Sequence, residues 1–580
     1  MSGLSLADLS RPARPKWCEP EVAAICLLVL ATYFLRAGSL PLRGEEPTRA
    51  QVAFEMIEGG DWIVPHEQGD PFLIRPPMHN WLIAASTAVL GRRDVFAVRF
   101  PSLIATLLTA LLIYGYSRTF LSRTGALAAA LSFATLGEMF QMGRQAETEA
   151  LFIYLVSASV LVWHWGMVRK WRPALTWSAG YALMVLAALA KGPQAPAYFV
   201  GSAFAYLVLT RQWRKLFTTA HLCGALAGAV VLGAWLVPFY RALGWSGVRE
   251  IFFGDPAVRV LLSFGASHIL VNQATFPFLV IGGTLPWCAL LLVYASRSAR
   301  EPRPQLVFVT LFLAIGFLSC WLHPAGQTRY FAPMFPALAV LVGWASERAV
   351  AAEPLSWPRI VWERYLSVIA GIMLVASVAV LLVACFGSAV SALRPAVEPI
   401  PVALLYTAVG VALAVLTWRA RKGSDVKSYR TAIVATSSFL AIAFTGVITD
   451  VRVRRSEYAA EAVARLKSVL LPGQQLVSFG HTDSLFAYLY GFPMILPRPW
   501  PENDAVSEPG LPYFSFISAG DQRPHLPFAW QEIGVVSLDR NHHEPPERVV
   551  VVGRRLEETE AGGAEGSELQ SPEPHVPRGK

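Results

Sequence analysis

The sequence predicts an all-α polytopic membrane protein with a small soluble α/β domain at its C-terminal end. Three observations carry this. Of 580 residues, 54% are hydrophobic and only 15% are charged, where a soluble domain carries roughly 25%. Apolar runs near the spanning length of about 20 residues recur along the first 450 positions. The basic residues fall in short clusters between those runs.

Candidate spans lie at 21–38, 96–117, 124–141, 148–168, 173–190, 194–210, 217–238, 272–295, 304–322, 329–346, 365–386, 400–418 and 430–449, about thirteen in all. A shorter apolar piece at 81–91 suits an interfacial or re-entrant helix. With residues 1–20 cytoplasmic, and 81–91 not crossing, one set of connections is uniformly basic. It holds Arg118 and Arg123; Arg169, Lys170 and Arg172; Arg211, Arg214 and Lys215; Arg297, Arg300 and Arg303; Arg348 and Arg359; and Arg419, Arg421, Lys422 and Lys427. That is the positive-inside pattern. The domain plan is then a cytoplasmic 1–20, a membrane domain at 21–450 and a soluble extracytoplasmic domain at 451–555. The tail, 556–580, has a disordered composition. The first apolar run follows a basic segment without a small-residue cleavage site, so it reads as a signal anchor.

Composition also excludes some functions. The net charge of +9 is dispersed among loops, so no nucleic-acid partner is expected. Six cysteines, mostly inside apolar runs and without CxxC spacing, argue for packing rather than disulfides or thiolate metal sites. No GxSxG or Walker motif is present.

The informative polar stretch is the first extracytoplasmic loop, 39–95. It contains Glu45 and Glu46, then Gly60-Asp61-Trp62, then Ile74-Arg75-Pro76-Pro77. Charges at an apolar boundary are costly unless used. A carboxylate there can serve as a general base, or it can cap the helix that begins near Thr48. Arg75, held by two prolines, can grip a phosphate with paired hydrogen bonds, or it can snorkel to the headgroups. Further cations fall on the same side: Arg144, Lys191 before Gly192-Pro193, Arg259, and Arg329 beside Tyr330. Taken singly these suit interfacial anchors; their common side suits an anionic ligand. Glu149, in Arg144-Gln145-Ala146-Glu147-Thr148-Glu149, opens a span toward that side. A lipid-borne phosphate fits: its chain lies in the bilayer and its headgroup meets the loops.

The ordered pattern Glu45-Glu46-Pro47-Thr48-Arg49, Gly60-Asp61-Trp62, Arg75-Pro76-Pro77, Val98-Arg99-Phe100-Pro101-Ser102, Lys191-Gly192-Pro193 and Arg329-Tyr330-Phe331-Ala332-Pro333 resembles the GT-C glycosyltransferases. Within them it is most similar to the lipid A aminoarabinose transferases and the protein O-mannosyltransferase superfamily. The resemblance implies a hexosyl- or pentosyltransferase of the bacterial inner membrane, active on the extracytoplasmic face. It would use an undecaprenyl or other polyprenyl-phosphate sugar and act with inversion. The acceptor would be a hydroxyl of an envelope lipid, glycan or protein. Glu45 then takes the base's place, with Glu46 and Glu149 positioning sugar or acceptor. Arg75, Arg329 and Tyr330 would then bind the donor phosphate, with Lys191 or Arg259 as a further cation for it. A divalent cation at Glu45 and Glu46 is compatible but not required, and no metal ligands are assigned. A lipid-linked sugar transporter or a non-catalytic binding relative is the alternative. The chain departs from the family's usual Asp-Glu at Glu45-Glu46 and from its Arg-Tyr at Thr48-Arg49. It also has Ile74-Arg75 where Glu-Lys is usual. These changes argue for a substrate different from that of an aminoarabinose transferase.

Overall fold

A computed structural model describes residues 19–254, 266–297, 301, 303–323, 326–455, 459–470, 475–491, 495–501, 512–519, 523–537 and 548–556. The described residues form two compact units, those within 19–66 and 71–455, and those within 67–70 and 459–556.

The first unit is helical. In its first loop, helix α1 (Glu46–Gly59) and helix α2 (Met78–Leu90) precede the long helices. Among the described residues nine helices are long and apolar enough to cross a membrane. They are α3 (Val95–Ser117), α4 (Thr148–Val168), α5 (Pro173–Lys191), Thr219–Phe253, Pro304–Trp321, α6 (Thr328–Ala351), Trp357–Ala389, Ile400–Ala420 and Val426–Arg454. A tenth span would be broken, because Ile269–Thr284 and Trp287–Ala295 meet at 110°. The expected thirteen crossings are therefore not reached by length and composition. Pro20–Phe34 and Gln194–Leu209 are short. The 124–141 stretch divides into Arg123–Ala134 and Met139–Met142, because Thr135–Gly137 turn away and the Glu138 N–H bonds to Gly283 O. The helix expected over 217–238 instead runs on to Phe253, with a break at Gly244 (φ 64°). At 13 residues, α2 is about 20 Å long, too short for a hydrocarbon core of about 30 Å.

Burial sorts these helices. In α6, 83% of the apolar window is buried, against 22% in Trp357–Ala389 and in Ile400–Ala420. Val368, Ile372 and Val375 stand exposed on an otherwise apolar surface, as they do on a helix facing lipid. The protein is an integral membrane protein. Its centre is built by close approach. A Cβ on Gly343 would lie 2.7 Å from both Ala129 Cβ and Gly125 O. The alanine-rich Arg123–Ala134 thus packs against α6 with backbones nearly touching, the small-residue contact common between membrane helices. The described cysteines, Cys26, Cys223, Cys288, Cys320 and Cys385, are free.

In the second unit five strands pair in the order β4 (Leu496–Arg498), β3 (Val477–Phe479), β5 (Tyr513–Ser518), β7 (Val549–Arg555) and β6 (Trp530–Ser537), numbered after the two-residue strands β1 (His66–Glu67) and β2 (Asp70–Pro71). The first three run parallel; β7 is antiparallel to β5 and to β6. Alternation along β7 sends Val550 and Val552 to one face, with Val463, Leu466 and Phe486 of the helices Ala459–Val469 and Ser484–Tyr490. Val549 and Val551 go to the other face, with Phe479, Phe514 and Phe516. These strands, with the helices Ala459–Val469 and Ser484–Tyr490, make the small α/β domain expected at the C-terminal end. The segment 67–70 belongs to this unit. The Gln68 side-chain amide donates to Thr482 O at 2.9 Å, and its carbonyl accepts from Thr482 N at 2.8 Å. The expected disordered tail lies outside the described residues.

The close approach at Gly343 yields a prediction. Gly343→Val should destabilise the detergent-solubilised protein by about 1–3 kcal/mol through overpacking. Gly371→Ala, where a Cβ meets nothing within 4 Å, should not destabilise it. Thermal melts followed by tryptophan fluorescence compare the two.

Candidate functional site

The first loop is fastened by one buried ion pair. Asp94 caps α3 by accepting from Ala97 N at 3.0 Å, which sets Arg99 in the helix's second turn. All five guanidinium N–H directions of Arg99 are used. Nε and Nη2 donate to Glu46 Oε1 and Oε2, each at 2.8 Å. Nη1 donates to Ala37 O at 2.7 Å and Leu40 O at 2.9 Å, and Nη2 also to Pro41 O at 2.9 Å. Glu46 in turn accepts from Ala146 N at 2.7 Å and Arg43 N at 2.9 Å. Glu46, expected to touch sugar or acceptor, is thus fully buried with both oxygens taken. Its place is structural.

A second clamp holds 144–149. Arg144 Nη2 donates to Arg36 O at 2.6 Å, and the guanidinium stacks 5.6 Å from the Phe444 ring. His79 Nε2, on α2, donates to Ala146 O at 3.0 Å. Burial, reinforced by nearby Arg49, pushes His79 down to about 4, so it is neutral at pH 7. Both backbone groups of Ala146 are therefore occupied, and Glu147 and Glu149 project from a fixed segment.

Glu45 and Glu147 stand at the N-cap positions of α1 and α4, yet neither side chain caps its helix. Glu45 turns back to Arg49 instead: Nη2 donates to Oε2 at 2.7 Å. Arg49 is 1% exposed and Glu45 52%. Burial raises the Glu45 proton affinity, but Arg49, with a smaller pull from Arg75, outweighs it and holds the carboxyl below its ordinary value. Glu147 lies against Gly44. That glycine has φ 65°, a backbone conformation that favours glycine, and a Cβ there would fall 2.5 Å from Glu147 Oε1, so the carboxylate would have to shift. Burial, then repulsion by Glu149, Glu45 and Glu46, pushes Glu147 up to about 7 against a weaker pull from Arg329.

The cations complete the arrangement. Lys191 closes α5 and donates to Glu149 Oε1 at 2.7 Å. Both side chains are buried, and the ammonium lies 5.5 Å from the Phe152 ring and 5.6 Å from the Tyr330 ring. Arg329 lies 5.6 Å from the same Tyr330 ring, with a buried Nε that has no hydrogen-bond partner. Arg75 precedes Pro76 and Pro77, which lead into α2, and is close enough to act on Glu45. The structure thus gathers Glu45, Glu149, Arg75, Lys191, Arg329 and Tyr330. Arg259 lies outside the described residues. Sequence reasoning gave no role to Glu147, Arg49, Arg99 or His79. Glu147 and Arg99 sit in motifs quoted above, but only the fold reveals their partners. Among the described residues no three His, Cys, Asp or Glu side chains are placed to hold a metal ion. Glu45, Glu46 and Glu149 each have a basic partner.

The Arg99–Glu46 pair should be indispensable to folding. Glu46→Gln leaves a buried guanidinium uncompensated and should cost about 3–5 kcal/mol. Glu58→Gln removes an exposed pair with Arg93 and should cost at most about 1 kcal/mol. Melting temperature and monodisperse yield in detergent distinguish them.

A family described as dolichyl-phosphate-mannose-protein mannosyltransferase matches residues 74–237. The chain is 31% identical over 312 residues to an undecaprenyl phosphate-alpha-4-amino-4-deoxy-L-arabinose arabinosyl transferase of Pseudomonas aeruginosa strain LESB58, covering 52% of this chain and 55% of that protein. A Proteus mirabilis arabinosyl transferase of the same description is 26% identical over 340 residues, 56% of this chain and 59% of its own. The chain spans little more than half the length of the curated relatives it matches. The crystal structure of ArnT from Cupriavidus metallidurans bound to undecaprenyl phosphate superposes with a TM-score of 0.66 at 18% identity, over 92% of this chain and 98% of that one. Its apo form gives 0.65. The resemblance read from the motifs is thus matched by these similarities, and the chain has the fold seen in ArnT.

Proposed function

We propose that the protein is a membrane glycosyltransferase. It moves a sugar from a polyprenyl-phosphate donor to a hydroxyl of a cell-envelope acceptor, with inversion. The observation that carries this is the convergence of Arg75, Lys191, Arg329 and Tyr330 with partly exposed carboxylates at Glu45 and Glu147. Group transfer from a phosphodiester needs cations where the leaving phosphate gains charge. It also needs a carboxylate where the attacking hydroxyl loses its proton.

Arg75 and Arg329 supply guanidiniums suited to phosphate. Lys191, steadied by Glu149, adds a buried positive charge beside Tyr330. The acceptor oxygen attacks the anomeric carbon from the face opposite the phosphate, and polyprenyl phosphate leaves with the bonding electrons. The polyprenyl chain stays among lipid-exposed helices. The basic clusters at the opposite helix ends favour an extracytoplasmic site in the inner membrane.

The departures at Glu45, Arg49 and Ile74 notwithstanding, similarity to the arabinosyl transferases favours an undecaprenyl-phosphate donor carrying an aminopentose. Lipid A is the favoured acceptor. Mass spectrometry of envelope lipids, glycans and proteins, from cells with and without this chain, tests the reading. We expect one pentose-type mass to disappear from lipid A when the chain is absent. Complementation with Arg75→Ala should leave the mass missing at normal protein level. Transfer of sugar across the bilayer by the purified protein, with no acceptor modified, would overturn the reading in favour of a transporter.

A further inference from the structure

We propose that Glu147, rather than Glu45, takes the proton from the attacking hydroxyl, while Glu45 is kept by Arg49 as a fixed anion that orients the reactants. This rests on the glycosyl-transfer reading above.

Glu45 is already committed. Its Oε2 is the one hydrogen-bond acceptor of the Arg49 guanidinium among the described residues. Arg49 Nε and Nη1 are buried without partners, and the group lies 5.2 Å over the Phe72 ring. Protonating Glu45 would strand that buried cation, which is costly. A carboxylate in this setting is a poor proton acceptor.

Glu147 is placed the opposite way. No hydrogen bond or ion pair among the described residues holds its carboxylate, and it does not cap α4 although it occupies the N-cap position. It abuts Gly44, the residue before Glu45, so the two carboxylates flank one short stretch of backbone. The segment that carries it is pinned through Arg144 and Ala146, so a hydroxyl held near Glu45 would meet Glu147 in a fixed position. The charged groups that act on it most strongly are Glu149 from α4, Glu45 and Glu46 at the start of α1, and Arg329 from α6. Burial, then repulsion by these carboxylates, raises its proton affinity to about 7, where a general base works best.

The step balances. The acceptor O–H bond breaks and its proton goes to the Glu147 carboxylate. The oxygen's electron pair forms the bond to the anomeric carbon. The carbon–oxygen bond to phosphate breaks, and its electrons leave on polyprenyl phosphate.

The test uses the full chain in proteoliposomes, with undecaprenyl phosphate-linked 4-amino-4-deoxy-L-arabinose as donor and lipid A as acceptor. A base must be ionised, so wild-type kcat/KM should fall about tenfold per pH unit below pH 7. Glu147→Gln should lose about 10²–10⁴-fold while keeping its melting temperature and its affinity for undecaprenyl phosphate. Its residual rate should lack the acid limb. Glu147→Asp should be slower than wild type but keep the limb. Wild-type activity that stays flat from pH 7 to pH 5 would overturn the proposal and return the base to Glu45. So would a Glu147→Gln enzyme as fast as wild type. No transfer by the wild type from this donor would instead overturn the reading on which the proposal rests.

Discussion

The buried pair between Arg99 and Glu46 is the constraint on which the site depends. One guanidinium joins α3 to the carbonyls of Ala37, Leu40 and Pro41 at the entrance to the first loop, and its carboxylate partner reaches across to the backbone at Ala146. Two segments about a hundred residues apart are thereby set side by side. Every functional group discussed above projects from one of those segments or from the helices packed against them. A buried ion pair is seldom the cheapest way to stabilise a fold. Here it specifies geometry: with five donors and two carboxylate oxygens all engaged, few alternative registers of the loop would satisfy the same groups.

On that frame, acids of similar intrinsic strength are given different work by their neighbours. Glu46 is sealed by Arg99. Glu149 is neutralised by Lys191, and together they make a buried dipole beside Tyr330. Glu45 is half exposed but held by Arg49. Glu147 has no such cation and faces other carboxylates. One identical functional group thus serves as strut, counter-ion, fixed anion and proton acceptor. The unusual arginine at position 49 has a physical consequence. It follows the glutamate at 45 by one helical turn, the spacing at which such side chains meet.

Much of the architecture was legible in the sequence. Apolar runs located the helices because hydrocarbon solvation leaves few other choices for the backbone, and the end of those runs near residue 450 marked the C-terminal α/β domain. Among the described residues thirteen crossings are not reached by length and composition, because composition does not reveal where a run breaks. The 124–141 stretch is apolar throughout, yet Thr135–Gly137 turn it and Glu138 docks on Gly283. The run at 272–295 bends by 110°. In the site, Arg75, Lys191, Glu149, Arg329 and Tyr330 were legible as costly charges and their neighbours at apolar boundaries. Glu46 and Glu147 were not separable from Glu45 and Glu149 by spacing. What distinguishes each is a partner far away in sequence, Arg99 for Glu46 and Gly44 for Glu147. Arg49 was noticed only as a departure from a pattern, without its ion pair.

The central claim is that these converging cations form a phosphate site for a lipid-borne donor. An experimental structure of the full chain with undecaprenyl phosphate tests it most directly. The account predicts phosphate oxygens within hydrogen-bond distance of Arg75 and Arg329, near Lys191, with Glu147 open to the space beside them. Phosphate bound elsewhere, for instance beside Arg364 in the apolar groove lined by Trp357, Tyr365 and Phe439, with the Arg75 cluster empty, would contradict it.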